Sequence, residues 1–231
     1  MPFKRENILA YILNIETATK NCSVSLAKDG EIVALKELNE GGFSHAEKLH
    51  EFISEVISIA NVSFSELIAV AVSKGPGSYT GLRIGVSAAK GLCFALDIPL
   101  ISVNTLTSLA HSVSISDGFK IPMLDARRME VYAAVFDANN TLKEDVSATI
   151  INEDSFKEFL DKNNVYFFGD GADKCKDILA HKNAYFIDNK FPSAQDMALL
   201  SFEKYKKSDI ENVAYFEPFY LKDFVVTTSK K

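Results

Sequence analysis

The chain has 231 residues, enough for one large domain or two smaller lobes, and 47% hydrophobic with 24% charged residues is an ordinary globular composition. A formal net charge of −6 argues against broad, sequence-independent nucleic-acid binding, which relies on basic surface, while leaving room for a local basic patch. Cys22, Cys93 and Cys175 are too scattered for a disulfide framework or a CxxC metal site, so each is expected as a small buried hydrophobe in a reducing compartment.

Residues 8–16 (ILAYILNIE) form a short apolar run suited to a buried strand; Asn14, Glu16 and the lack of a small-residue cleavage site argue against a signal peptide. CSVSLAK and EIVALKE flank Asp29-Gly30, a hairpin signal because both turn residues tolerate positive φ. Ser44 with Glu47 makes a capping box that opens a helix with Leu49, Phe52, Ile53, Val56, Ile57 and Ala60 on one face. Ser63 and Glu66 form a second box before LIAVAVS (67–73), which reads as a central strand buried on both faces. A glycine-rich turn and a helix follow in SKGPGSYTGLRIGVSAAKGL (73–92), then another helix from about Thr105.

The second half repeats this plan. KIPMLDA (120–126), EVYAAVFD (130–137) and the segment ending in ATII (148–151) read as strands, followed by a helix at 153–162, the strand VYFFG (165–169) and a helix at 172–181. A last amphipathic helix is capped by Ser193, with Asp196 in its first turn, and the TTSKK tail is expected to fray. Strand–strand–strand–helix–strand–helix thus occurs twice, offset by roughly 110 residues, which predicts two similar α/β lobes with mixed sheets, divided as 1–108 and 109–231. No apolar stretch approaches the length of a membrane span, and a cytoplasmic location is expected.

His45 and His50 invite a metal reading, but their i,i+5 spacing sets them about 140° apart on a helix, where a zinc pair needs i,i+4. No metal site is expected, and His45 reads as a surface or interface residue. Glu16, Thr17 and Thr19 at the end of the first strand resemble the way some phosphotransferase-like folds hold metal–nucleotide, and equally a capped strand end. Asp125-Ala126-Arg127-Arg128 occupies the corresponding position in the second half; adjacent arginines can grip phosphate or carboxylate, or simply form a solvated turn with ion pairing. No Ser-His-Asp or Cys-His constellation is visible.

Ser73–Leu92 combines more unusual choices. Gly75 and Gly77 allow a tight turn around Pro76, and Ser78 or Thr80 can cap a helix whose amides, with Arg83, suit an anion. The Walker lysine is absent. Within the helix, Gly81, Gly85 and Ala89 recur every fourth residue, each glycine at a cost of about 1 kcal/mol of helix propensity, as a smooth strip that a second backbone can approach. The strip therefore predicts helix-on-helix assembly, with Gly85→Trp blocking it and leaving the fold intact.

KGPGSYTGLRIGVSAAKGL, followed by IPLISVNTLTSLA, resembles the signature of the TsaB (formerly YeaZ) family of tRNA threonylcarbamoyladenosine biosynthesis proteins. ILNIETATKNCSVSL, SHAEKL, DARRMEVYAAVF, GDGA (169–172), PSA (192–194) and EPFYLKD extend the likeness along most of the chain. The resemblance implies two actin-like, ribonuclease H-like lobes and a non-catalytic subunit that pairs with the transferase TsaD through helices of the first lobe. It also implies the ATPase TsaE as a further partner, tRNA as substrate of the complex, homodimers when the chain is alone, and no intrinsic cofactor, with ATP or ADP bound at the complex interface. The expected partner-binding residues are His45, Leu49, Phe52, Ile53, Tyr79, Gly81, Leu82, Gly85, Val86 and Ala89; Glu16, Thr17, Thr19, Ser78 and Arg83 are the candidates for phosphate. Glu16 stands where the nucleotide-binding relatives carry Asp. The alternative readings are an ATP-hydrolysing or glycoprotease-like enzyme acting alone and a chaperone-like ATP switch.

Overall fold

The computed structural model describes residues 10–39 and 45–222. The first residues of the 8–16 run, the capping residue Ser44, the last residue of EPFYLKD and the TTSKK tail lie outside them. Asp29 and Gly30 adopt φ of 54° and 87°, the pair of positive values that a tight hairpin needs, and so join β2 (Cys22–Lys28) to β3 (Glu31–Leu38). β2 also runs antiparallel to β1 (Tyr11–Glu16), whose other edge pairs in parallel with β4 (Leu67–Gly75). Between β3 and β4 lies α1 (His45–Ile59), and the Ser63–Glu66 capping box stands at the start of a short 3-10 turn, with Glu66 Oε2 accepting from Ser63 N at 2.7 Å. α2 (Tyr79–Leu96), β5 (Leu100–Asn104) and α3 (Thr105–His111) complete the first half.

The second half runs β6 (Phe119–Asp125), β7 (Glu130–Asp137), β8 (Leu142–Ile150), α4 (Lys157–Leu160), β9 (Val165–Phe168), β10 (Ala184–Ile187) and α5 (Ala198–Lys206). The first sheet has the order β3-β2-β1-β4-β5 and the second β8-β7-β6-β9-β10, so the two repeat one topology with the same parallel and antiparallel pairings. This is the doubled, two-lobed mixed-sheet architecture that the repeated strand pattern predicts. β5 and β10 are elements that the sequence pattern did not reveal, because each is short and adjoins stronger signals. The helices expected at 153–162 and 172–181 shrink to one turn of α4 and one 3-10 turn at Asp173–Cys175, where i→i+3 bonds replace a longer helix.

Each sheet is covered on one face by its own half. α1 and α2 bury Leu49, Phe52, Ile53, Val56, Val86 and Ala89 against Leu13, Ile15, Val24, Val70 and Val72. The other faces are covered crosswise. α3, from the first half, packs Leu106, Leu109 and Ala110 on Leu124, Ala134, Phe136 and Phe168 of the second sheet. Met197, just before the last helix, and Leu200, Phe202 and Tyr205 on it pack on Ile12, Ala69, Ala71, Ile101 and Val103 of the first. A division at 108/109 therefore cuts through α3, and Met197 to Tyr205, although they follow the second sheet in the chain, pack on the first. After α5 the chain runs along the first lobe: Glu211 bridges to Leu100, and Lys90 Nζ donates to the carbonyls of Ala214 (3.2 Å) and Phe216 (3.0 Å).

Lys120 is fully buried, a placement the sequence did not signal. Its ammonium donates to the carbonyls of Ala110 and Val113, both at 3.1 Å, and to Asn140 Oδ1, so it satisfies the C-terminal end of α3 where the chain passes between lobes.

Candidate functional site

Ser78 caps α2 through Oγ, which accepts from Gly81 N at 3.3 Å, and its own N–H donates to Ala18 O at 2.6 Å. The capping expectation holds, and the Gly75–Pro76 peptide is cis. The strip that follows faces inward. A Cβ at Gly81 would overlap the Thr17 carbonyl oxygen, and one at Gly85 the Thr17 hydroxyl, which already donates to Gly81 O at 2.8 Å. The second backbone that the small residues admit is β1 of the same chain. Gly81, Leu82, Gly85, Val86 and Ala89 are accordingly buried, as are Leu49 and Phe52 on α1. These positions belong to the lobe's own core and present no side chain to a partner. Ile53 is buried but lines a groove, while Tyr79 and Arg83 lie near the surface, with Arg83 over the Tyr79 ring at 4.3 Å and Nε donating to Tyr220 OH at 3.2 Å.

His45, expected at the surface, is completely buried; its Nε2–H donates to Thr19 O at 2.7 Å, and burial lowers its pKa. It locks the start of α1 onto the β1–β2 turn. His50 is exposed on another face of α1, as their spacing requires, and among the described residues no group of three or more His, Cys, Asp or Glu side chains can hold a metal. All three cysteines are free and buried.

The outward side of α1 and α2 is different. Between them runs an open groove of about 690 Å³, mainly apolar, floored by Ala46, Ile53, Ile84, Ala88 and Leu92 with His50 and Arg83 at its rim. Along α2 a second small-residue strip, Ser87-Gly91-Ala95, faces solvent, and nothing lies within 4 Å of where a Cβ on Gly91 would be. Phe94, beside it, is 86% exposed. The two strips share one spacing and lie about 200° apart around the helix. The signal was present in the sequence; the inward strip was simply the more glycine-rich.

The phosphate candidates are occupied by the fold itself. Glu16 and Thr17 have no exposed surface, Glu16 Oε1 accepts from Ala18 N at 2.6 Å, and Thr19 Oγ1 accepts from Asn21 N at 3.3 Å. Burial, opposed by the Ala18 amide, pushes the Glu16 pKa up to about 7. A carboxyl sealed from solvent and half protonated near neutrality does not fit a Mg²⁺–nucleotide, and the turn around it is closed by His45 and the start of α2. Beyond this turn lies a polar cavity of about 560 Å³ lined by Asn21, Glu37, Ser112, Lys190, Ser193 and Asp196. Glu37 Oε2 accepts from Ser193 Oγ (2.7 Å) and Ser23 Oγ (3.1 Å), while burial raises Asp196 to about 7 against the pull of Lys190. Two carboxylates and one ammonium make it a poor receptacle for phosphate.

At the corresponding turn of the second lobe, Asp125 pairs with Lys174, whose Nζ also donates to the carbonyls of Arg128 (2.6 Å) and Glu130 (2.7 Å). The ion pairing expected of this turn is thus made by a lysine. Arg127 and Arg128 point to neither carboxylate and are exposed.

Residues 40–230 match the family model described as TsaD, tRNA N6-adenosine threonylcarbamoyltransferase. The chain is 31% identical over 210 residues to the tRNA threonylcarbamoyladenosine biosynthesis protein TsaB of Buchnera aphidicola subsp. Schizaphis graminum, spanning 86% of this chain and 96% of that one. The chain belongs to the TsaB family. The Escherichia coli K12 TsaB is 28% identical over 222 residues, 93% of this chain and 95% of that protein. In fold, YeaZ from Pseudomonas aeruginosa superposes with a TM-score of 0.76 at 23% identity, over 92% of this chain and all of that one. TsaB is thus a family of tRNA threonylcarbamoyladenosine biosynthesis proteins with sequence kinship to the transferase itself.

Proposed function

We propose that this chain is an accessory subunit of tRNA threonylcarbamoyladenosine biosynthesis that seats a TsaD-like transferase on its α1–α2 face and catalyses no step alone. The observation that carries this reading is the division of labour on α2. Its inward strip is consumed by β1, while its outward strip, with Gly91 uncovered and Phe94 exposed, borders an apolar groove that a second pair of helices could fill. The strand-end residues that would carry nucleotide chemistry are sealed, which supports an accessory role. In the absence of the transferase, the same face would join two copies isologously.

Mixing the purified chain with a TsaD-like transferase, a TsaE-like ATPase and unmodified tRNA tests this. A stable complex on gel filtration and a gain in modified tRNA over transferase plus ATPase are expected. No complex and no gain would sink the proposal, and turnover of ATP by the chain alone, abolished in Glu16→Ala, would favour the enzyme reading.

A further inference from the structure

Resting on that reading, we infer that the turn at Arg127–Arg128, with the tyrosines beside it, is a docking strip for the phosphodiester backbone and unpaired bases of RNA. Both arginines sit at positive φ, 71° and 51°, in consecutive positions of a turn where Asn-Gly would be at ease. A β-carbon-bearing residue is disfavoured there, and two in succession are not compensated by a hydrogen bond or ion pair of their side chains among the described residues. Neither guanidinium makes a hydrogen bond or ion pair there, because the neighbouring carboxylates are already engaged: Asp125 by Lys174 and Glu130 by Lys222. Even with half-buried Asp170 beside the turn, whose carboxylate accepts from Asp125 N, the four cations Arg127, Arg128, Lys174 and Lys222 outnumber the three acids Asp125, Glu130 and Asp170. On a chain of net charge −6 this is a local reversal of sign.

Aromatic rings alternate with these cations. Lys222 Nζ lies 6.0 Å from the Tyr132 ring, and two residues earlier the Tyr220 ring meets Tyr79 at 4.8 Å, tilted by 36°, with Arg83 over the Tyr79 ring. The strip thus runs from the second-lobe turn across the C-terminal segment to Arg83 at the rim of the α1–α2 groove. Free guanidinium forks suit phosphodiesters, and the half-exposed Tyr220 offers a ring to an unstacked base, a combination that an acidic protein segment would not need.

The test measures fluorescence anisotropy of a labelled RNA hairpin with an unpaired loop, titrated with the full chain, alone and with its transferase, across a salt series. Three proteins are compared: wild type, Arg127→Asn/Arg128→Gly and Tyr220→Ala. The double variant suits the positive φ values, so its melting temperature should equal or exceed that of wild type. It should bind RNA at least tenfold more weakly at low salt, with the log–log salt slope shallower by about 1.4, two contacts at about 0.7 each for single strands. Tyr220→Ala should weaken binding with the slope unchanged. An unchanged slope in the double variant, no RNA binding by wild type in either form, or equal displacement by polyglutamate would overturn the inference. Pairing with the transferase, read on the same samples, should survive both changes: RNA failure with intact pairing removes this inference alone, and failure of wild-type pairing removes the reading beneath it.

Discussion

The two faces of α2 carry the same four-residue rhythm of small side chains and serve opposite ends. On the inner face Gly81 and Gly85 exist because the end of β1 is already there, and Thr17, the residue after it, fills the space their side chains would take. On the outer face Gly91 has open space around it and a helix-propensity cost of about 1 kcal/mol that nothing in the isolated chain offsets. Spacing shows that a backbone can approach a helix; only the sheet's position shows on which side it already has.

Four changes break or sharpen this contrast. Gly85→Trp, which on sequence grounds would spare the fold, is now expected to abolish it, because an indole must displace β1; soluble expression and near-ultraviolet circular dichroism report this, with a loss above about 5 kcal/mol. Next, Glu16 lies at the β1 end beside the inner strip. Its folded pKa of about 7 exceeds the ordinary glutamate value of 4.5, so its contribution is full below pH 4.5 and is lost as pH rises through 7. Glu16→Gln should therefore remove a fall of about 3 kcal/mol in urea-melt stability between pH 4.5 and 8, leaving the variant the more stable above pH 7. Third, Gly91→Trp should leave the melting temperature within a few degrees while weakening transferase pairing at least a hundredfold, about 2.7 kcal/mol by titration calorimetry. Smallest, Gly91→Ala should stabilise the isolated chain by about 0.5–1 kcal/mol in chemical denaturation, whereas an alanine at Gly81 should do the reverse.

Much of the fold was legible because its signals are local. Asp29-Gly30 and the Ser63–Glu66 box each act within four residues, and the doubled strand pattern survives in the shared sheet order. The site was less legible because its deciding contacts are distant in sequence. Thr17 meets Gly81 across 64 positions, and His45 meets Thr19 across 26, so neither burial follows from helical periodicity. Lys120 illustrates the same limit: a lysine beside a strand pattern reads as solvated until the end of α3 is placed over it.

The crosswise cover of the sheets also bears on the order in which the protein can be made. The first lobe leaves the ribosome first, yet among the described residues Ile12, Ala69, Ala71, Ile101 and Val103 pack under Met197 to Tyr205. The whole second lobe must therefore be synthesised before the first can close. Until then a row of apolar side chains stays open to water, and a chain stopped short near residue 190 would expose it permanently. Completion of the first lobe is thus a readout of full-length synthesis, and the groove on its opposite face is presented by a stable lobe only when the last helix has arrived.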